Sequence, residues 1–159
     1  MGWKVYGIDN QTYASNPNLA QVFKRNFKDS FIYINEDIAD LDYLPDCDYV
    51  INTAAETHVG NSIIDSRVFL KSNINGVQNL LDLIRAKPVN VVERPVFFQF
   101  STDEVYGDIV DGEHTEDDHL NPSNPYSASK AAADMLIKSW ARTYGIEYII
   151  FRPTNNYGA

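Results

Sequence analysis

A single cysteine, Cys47, stands in 159 residues, so the chain can form no internal disulfide and no cysteine-built zinc site, and its thiol content fits a reducing compartment. Basic side chains are scarce: 13 Lys and Arg face 22 Asp and Glu, for a net charge of −9. A field of that sign repels nucleic acid and anionic lipid surfaces. We therefore expect neither partner, and any anionic ligand must be met by local donors. No apolar run approaches the ~20 residues of a membrane span, and no basic-then-apolar stretch of the signal type occurs, so the expectation is a soluble, cytoplasmic protein. There are three histidines; no second histidine or cysteine stands at metal-ligand spacing from His58, and no metal is expected. There is no internal repeat or low-complexity tract, so residues 1–159 read as one domain. The chain has eight glycines, yet no Gly-x-x-Gly-x-x-Gly loop.

What is present alternates strands with helices, the pattern of an α/β fold. Trp3–Asp9, Phe31–Asn35, Asp48–Thr53, Pro95–Ser101 and Tyr148–Phe151 are short β-branched or aromatic runs that read as buried strands. Asn16 and Pro17 open a helix whose stripe Leu19, Val22, Phe23 and Phe27 is expected to be buried. Between Asp65 and Arg85, Leu70, Ile74, Val77, Leu81 and Ile84 keep helical spacing and predict one long amphipathic helix. Ala86 to Arg94, broken by Pro88, reads as a polar connection, and the acidic run from Gly107 to Asn124 as a solvated loop.

Two stretches carry chemistry. In Asn124-Pro125-Tyr126-Ser127-Ala128-Ser129-Lys130 a phenol and an ammonium stand one helical turn apart, on one face. A cation held beside a phenol favours the phenolate and lowers its pKa, giving a general base for a hydroxyl proton. The strand Pro95–Ser101 runs into Thr102-Asp103-Glu104, placing a hydroxyl and two carboxylates at a strand's C-terminal end, where open α/β sheets bind ligands. Asp9 ends the first strand. By itself it reads as a turn aspartate as readily as an acceptor for ribose hydroxyls, just as Ala54-Ala55 could serve close strand–helix packing or the approach of a flat ligand.

The motifs Ser101-Thr102-Asp103-Glu104-Val105-Tyr106-Gly107, Asn124–Lys130 and Arg152-Pro153-Thr154-Asn155-Asn156-Tyr157-Gly158 resemble those of the dTDP-glucose 4,6-dehydratases, within the extended short-chain dehydrogenase/reductase family. The resemblance implies a Rossmann-like parallel sheet with flanking helices, a three-layer α/β/α arrangement, here incomplete. It implies NAD as cofactor and a nucleotide sugar as substrate. Asp9, Asn10, Gln11 and Thr12 would touch the adenosine ribose and Asp37 and Ile38 the adenine. Ala54, Ala55, Glu56, Thr57, Ser72 and Asn156 would also contact the cofactor, and Lys130 its nicotinamide ribose. Asn73 would make a polar bond to the neighbouring strand. His58, Thr102 and Asn155 would hold substrate. Tyr126 would remove the C4 hydroxyl proton, Glu104 the C5 proton, and Asp103, kept protonated by apolar surroundings and its carboxylate neighbour, would protonate the leaving C6 hydroxyl.

In that sheet a central strand followed by the glycine loop should lie between Trp3–Asp9 and Tyr49–Thr53, and neither is in the sequence. The expectation is therefore a piece of a larger enzyme, truncated at both ends, that forms a homodimer when complete. Simple epimerases and decarboxylases generally lack the adjacent Asp-Glu pair. The alternatives are a related UDP-sugar dehydratase, epimerase or decarboxylase, or a non-catalytic piece that only binds a partner or a nucleotide sugar.

Overall fold

The apolar runs become strands in a computed structural model that describes residues 2–88, 93–109 and 111–155. They are β1 (Val5–Ile8), β2 (Phe31–Ile34), β3 (Tyr49–Asn52), β4 (Val96–Phe100) and β5 (Tyr148–Phe151). All pairings are parallel: β1 sits on β2 with Val5 opposite Phe31, while β3, β4 and β5 lie side by side in that order. Among the described residues these make two separate sheets, of two and three strands. The break falls between β1 and β3, where the sequence leads one to expect a missing central strand. The Trp3 and Tyr49 rings lie 6.0 Å apart near the strand starts, and beyond the strand ends the Tyr13 hydroxyl donates to Glu56 Oε2 at 3.2 Å. The two strands thus run in the same sense on either side of a trench.

Helix α1 (Pro17–Asn26) begins as expected, with the Asn16 side chain accepting from the Asn18 N–H and Pro17 in the first turn. Its apolar stripe is not buried, however. Leu19, Val22, Phe23 and Phe27 all remain exposed, because the helix meets little more than the short strand β2, through Phe23 against Phe31 at 5.6 Å. After β3 the short helix α2 (Val59–Ile64) appears, which sequence periodicity did not predict.

The long helix forms with an irregularity. α3 (Arg67–Phe69) passes through a π turn (Leu70–Asn75) into α4 (Gly76–Ala86). A π turn inserts one residue and rotates what precedes it, so Phe69, fully buried, takes the core position that spacing assigned to Leu70, which is exposed. Gly76 lets α4 press onto the chain after β2: a Cβ there would sit 2.6 Å from Ile38 Cδ1.

Helix α5 (Pro125–Tyr144) opens with a capping box between Asn124 and Ser127 and ends at Gly145 in the left-handed region, φ 70°, a conformation glycine adopts without steric penalty. α4 and α5 cover one face of the three-stranded sheet through Val77, Leu80, Leu81, Ile84, Ala133 and Ile137 around Phe97. The opposite face carries Tyr49, Phe98, Phe151 and Phe100 in edge and stacked contact, with Ile51 63% exposed. No described helix forms the second outer layer over that face. No described helix is long and apolar enough to cross a membrane.

Candidate functional site

Strand β4 delivers the first group of functional side chains. Phe97 and Gln99 point into the core and are buried, and the strand ends at Phe100, after which the Thr102 hydroxyl caps a 3-10 turn (Asp103–Tyr106) by accepting from the Glu104 N–H. This turn was not predicted. It fans the two acids apart, because successive residues of a 3-10 turn point about a third of a circle away from each other. Asp103 is half-buried and Glu104 exposed. The Asp103 N–H donates to the Pro153 carbonyl at 3.2 Å, and Thr102 Oγ1 lies 3.4 Å from Asp103 Oδ1. The apolar surroundings expected for Asp103 are thus replaced by polar ones. Glu104 Oε2 accepts from Asn124 Nδ2 at 3.2 Å, which ties this acid to the cap of α5.

Tyr126 and Lys130 share the buried face of α5 with Ser129, Ala133 and Asp134. The Tyr126 N–H donates to Ser62 Oγ of α2, and its ring packs edge-on against Phe69. The expectation that Lys130 draws the phenol toward phenolate is corrected here. Burial raises the Tyr126 pKa above its ordinary value; the Thr102 side chain beside it offsets part of this, and the Glu104 and Asp103 carboxylates add to it. The Lys130 ammonium instead donates to the Phe100 carbonyl at the end of β4. Its burial, at 3% exposed, pulls its pKa down to about 8, against the pull of Asp134.

The second group lines the trench between β1 and β3, a cavity of about 970 Å³. Asp9, Asn10, Thr12, Asp37, Ile38, Ala54, Ala55, Glu56 and Ser72 all face it. Gln11 and Thr57 do not line it, and neither do Tyr126 and Lys130, which belong to the β4–α5 cluster. The Asn52 carboxamide accepts from the Ala54 N–H and donates to Gln99, so the turn after β3 is fixed where the two alanines leave open wall. Asp9 Oδ1 accepts from the Gln11 N–H at 2.6 Å, the bond that holds Gln11 at φ 54°. Both oxygens of Asp37 are engaged, one by the Ala39 N–H and the other by Lys71 Nζ at 3.1 Å. Burial disfavours the Asp37 charge, but these donors outweigh it and leave its pKa below the usual value.

A dinucleotide's adenosine end fits the trench. Its wall offers carboxylates for hydroxyls and an amine and the Ile38 side chain for a ring face, while the rest of its volume lies between the facing edges of β1 and β3. Asp9, Glu36, Asp37 and Glu56 all line it, so it is built for donors rather than for phosphate oxygens.

His58 is exposed, and its Nδ1 accepts from the Asn61 N–H at 3.4 Å to cap α2. Asn155 is exposed after Pro153, and Asn156 lies outside the described residues. Asn73 bonds the backbone N–H and C=O of Glu56, just past β3, and also Ser129 Oγ, linking trench wall to α5. Sequence reasoning missed Ser62 and Asp134, both buried. A signal for the second was present: the lone carboxylate of α5, one turn past Lys130 among small residues.

Known proteins share this arrangement. The profile of the NAD dependent epimerase/dehydratase family matches residues 1–159. The low-salt glycan biosynthesis protein Agl12 of Haloferax volcanii is 42% identical over 158 residues, covering 97% of this chain and 49% of that protein. A dTDP-glucose 4,6-dehydratase of Streptomyces griseus is 39% identical, covering 97% and 46%. The chain therefore spans about half the length of the curated relatives it matches. Among solved structures, a double mutant of the dTDP-glucose 4,6-dehydratase DesIV of Streptomyces venezuelae, with NAD and DAU bound, superposes with TM-score 0.86 at 36% identity, covering 98% of this chain and 47% of that one. A UDP-glucuronic acid 4-epimerase of Bacillus cereus in complex with NAD gives 0.81 at 27%, covering 98% and 49%.

Proposed function

The chain belongs to the NAD dependent epimerase/dehydratase family, and from that premise we propose that it supplies the cofactor wall and the acid–base groups of a nucleotide-sugar 4,6-dehydratase acting on dTDP-glucose. The observation that carries this reading is the gathering of these groups at the end of β4: Thr102 caps the turn that holds both acids, and Glu104 Oε2 accepts from Asn124 Nδ2 at 3.2 Å, at the cap of the helix that carries Tyr126. Epimerisation at C4 asks for a base at one hydroxyl only. Elimination of water across C5 and C6 asks for a second base and an acid, and the adjacent Glu104 and Asp103 are the side chains this reading gives those roles.

The trench residues Asp9, Asn10, Asp37, Ile38, Ala54, Ala55 and Ser72 would hold the adenosine half of NAD, and bound NAD supplies a hydride acceptor and donor. Thr102 orients the C4 hydroxyl, and Tyr126 takes its proton. Because burial raises the phenol's pKa in this arrangement, activation requires the Lys130 ammonium to leave the Phe100 carbonyl and turn toward the site. A ketone at C4 acidifies the C5 proton, and Glu104 takes it. Asp103, which must enter this step carrying a proton, gives it to the departing C6 hydroxyl, and Asn155 steadies the sugar.

The test is the double variant Asp103→Asn/Glu104→Gln in the whole protein. Oxidation at C4 uses neither acid, so reduced-nicotinamide absorbance should accumulate while 4-keto-6-deoxy sugar does not form. Product at the parent rate would remove the dehydratase reading and leave an epimerase-like one.

A further inference from the structure

The first four N–H positions of a helix have no acceptor within it. At the head of α5 most of them are accounted for locally: Pro125 has no N–H, the Asn124 N–H donates to Ser127 Oγ at 3.2 Å, and the Ser127 N–H donates to Asn124 Oδ1 at 2.9 Å. That leaves Tyr126, the residue given the role of base. Its N–H donates at 3.2 Å to Ser62 Oγ, 64 positions earlier on α2. Ser62 is 1% exposed, and its one hydroxyl hydrogen is committed to the Val59 carbonyl at 2.6 Å, so the oxygen meets Tyr126 as an acceptor. The Ser62 N–H in turn donates to the His58 carbonyl at 3.1 Å, which ties the same residue to the turn after β3.

The other polar group of the Tyr126 backbone is held too. Ser129 Oγ donates to the Tyr126 carbonyl at 2.7 Å and accepts from Asn73 Nδ2 at 2.9 Å, and Asn73 bonds the backbone of Glu56. Two paths thus run from Tyr126 back to residues 56–58, while Phe69 packs edge-on against its ring. A tyrosine ring is rigid, so a shift at its backbone is carried to the phenol oxygen. We propose that Ser62 is a positioning residue for proton transfer: it holds the head of α5 against α2, and with it the Tyr126 phenol where it reaches the C4 hydroxyl. The proton transfer rests on the dehydratase reading given above, whereas the hold on the Tyr126 N–H rests on geometry alone.

The contact is read directly by amide hydrogen exchange in the whole protein carrying nitrogen-15-labelled tyrosine, with Tyr144 in the last turn of α5 as internal control. In the parent the Tyr126 amide should be protected, although a position this close to a helix start has no acceptor of its own. In Ser62→Ala it should exchange at least ~10-fold faster, the loss of about one hydrogen bond, and Tyr144 should not move. The catalytic consequence is read in the Asp103→Asn/Glu104→Gln background, where dTDP-glucose should raise reduced-nicotinamide absorbance through the oxidation step alone. Adding Ser62→Ala should lower the rate constant of that rise by ~10–10²-fold. Unlike the amplitude, the rate constant does not depend on how much of the protein is active. Ser62→Cys, of similar size but a weak acceptor, covers the case in which Ser62→Ala does not fold, and should move both readouts the same way. An unmoved Tyr126 amide, or an oxidation rate constant equal to that of the background, in either folded variant overturns the proposal. If the background forms no reduced cofactor even with Ser62 in place, the proposed function fails, and the amide measurement alone decides whether Ser62 holds Tyr126.

Discussion

Replacing Lys130 by methionine should erase a specific piece of the protein's pH dependence. Burial lowers the Lys130 pKa from its ordinary 10.5 to about 8. Between those two values the unfolded chain still carries the proton and the folded chain does not. Unfolding then takes up a proton, and stability rises with pH through that window. Below about 8 both states are charged, and the folded state bears the whole cost of burying the ammonium, eased by the Phe100 carbonyl and Asp134. At 1.36 kcal/mol per pKa unit the full swing is about 3 kcal/mol. Urea unfolding of the whole protein, followed by Trp140 fluorescence, should show parent stability minus Lys130→Met stability growing by about that amount between pH 7.5 and 10.5. The subtraction cancels the tyrosines, which titrate in both proteins. Parallel curves for the two proteins would mean that Lys130 is not held buried at the end of β4, and the geometry assigned to the site would fail with them.

Two further substitutions probe other links. Tyr126→Phe should lower kcat by ~10²–10⁴-fold through loss of proton transfer while substrate affinity, measured by calorimetry, is kept; normal turnover would rule the phenol out as base. Asn73→Ala strands the N–H and C=O of Glu56 and removes the partner of Ser129, so the urea midpoint should fall by an amount equivalent to about 2–4 kcal/mol. A change under about 1 kcal/mol would show that water replaces the carboxamide there.

Much of this architecture was legible because it is local. Phe31–Ile34 and Tyr148–Phe151 announce strands by their side chains alone, and Asn124-Pro125 announces the start of α5. The gap between β1 and β3 was legible from the absence of a glycine loop. What escaped depends on neighbours distant in sequence. The stripe of α1 has the right period but little to bury against. The steps of 4, 3, 4 and 3 from Leu70 conceal a π turn, since one inserted residue only trades Phe69 for Leu70 on the stripe. At the site, the Tyr126/Lys130 spacing placed both groups on one buried face, yet it could not show that the ammonium bonds the Phe100 carbonyl across the packing of α5 on β4. Likewise, a lone Asp134 in sequence gives no hint that Arg152, just past β5, donates to its carboxylate.

The central claim, that this cluster eliminates water from a nucleotide sugar rather than inverting a centre, is tested most directly with dTDP-glucose deuterated at C4 and incubated with the whole protein. Dehydration with one acid–base set and one resident hydride carrier predicts a 4-keto-6-deoxy product with the deuterium on C6. Deuterium returned to C4 of an epimerised sugar, or a product whose C6 carries only solvent hydrogen, would contradict it.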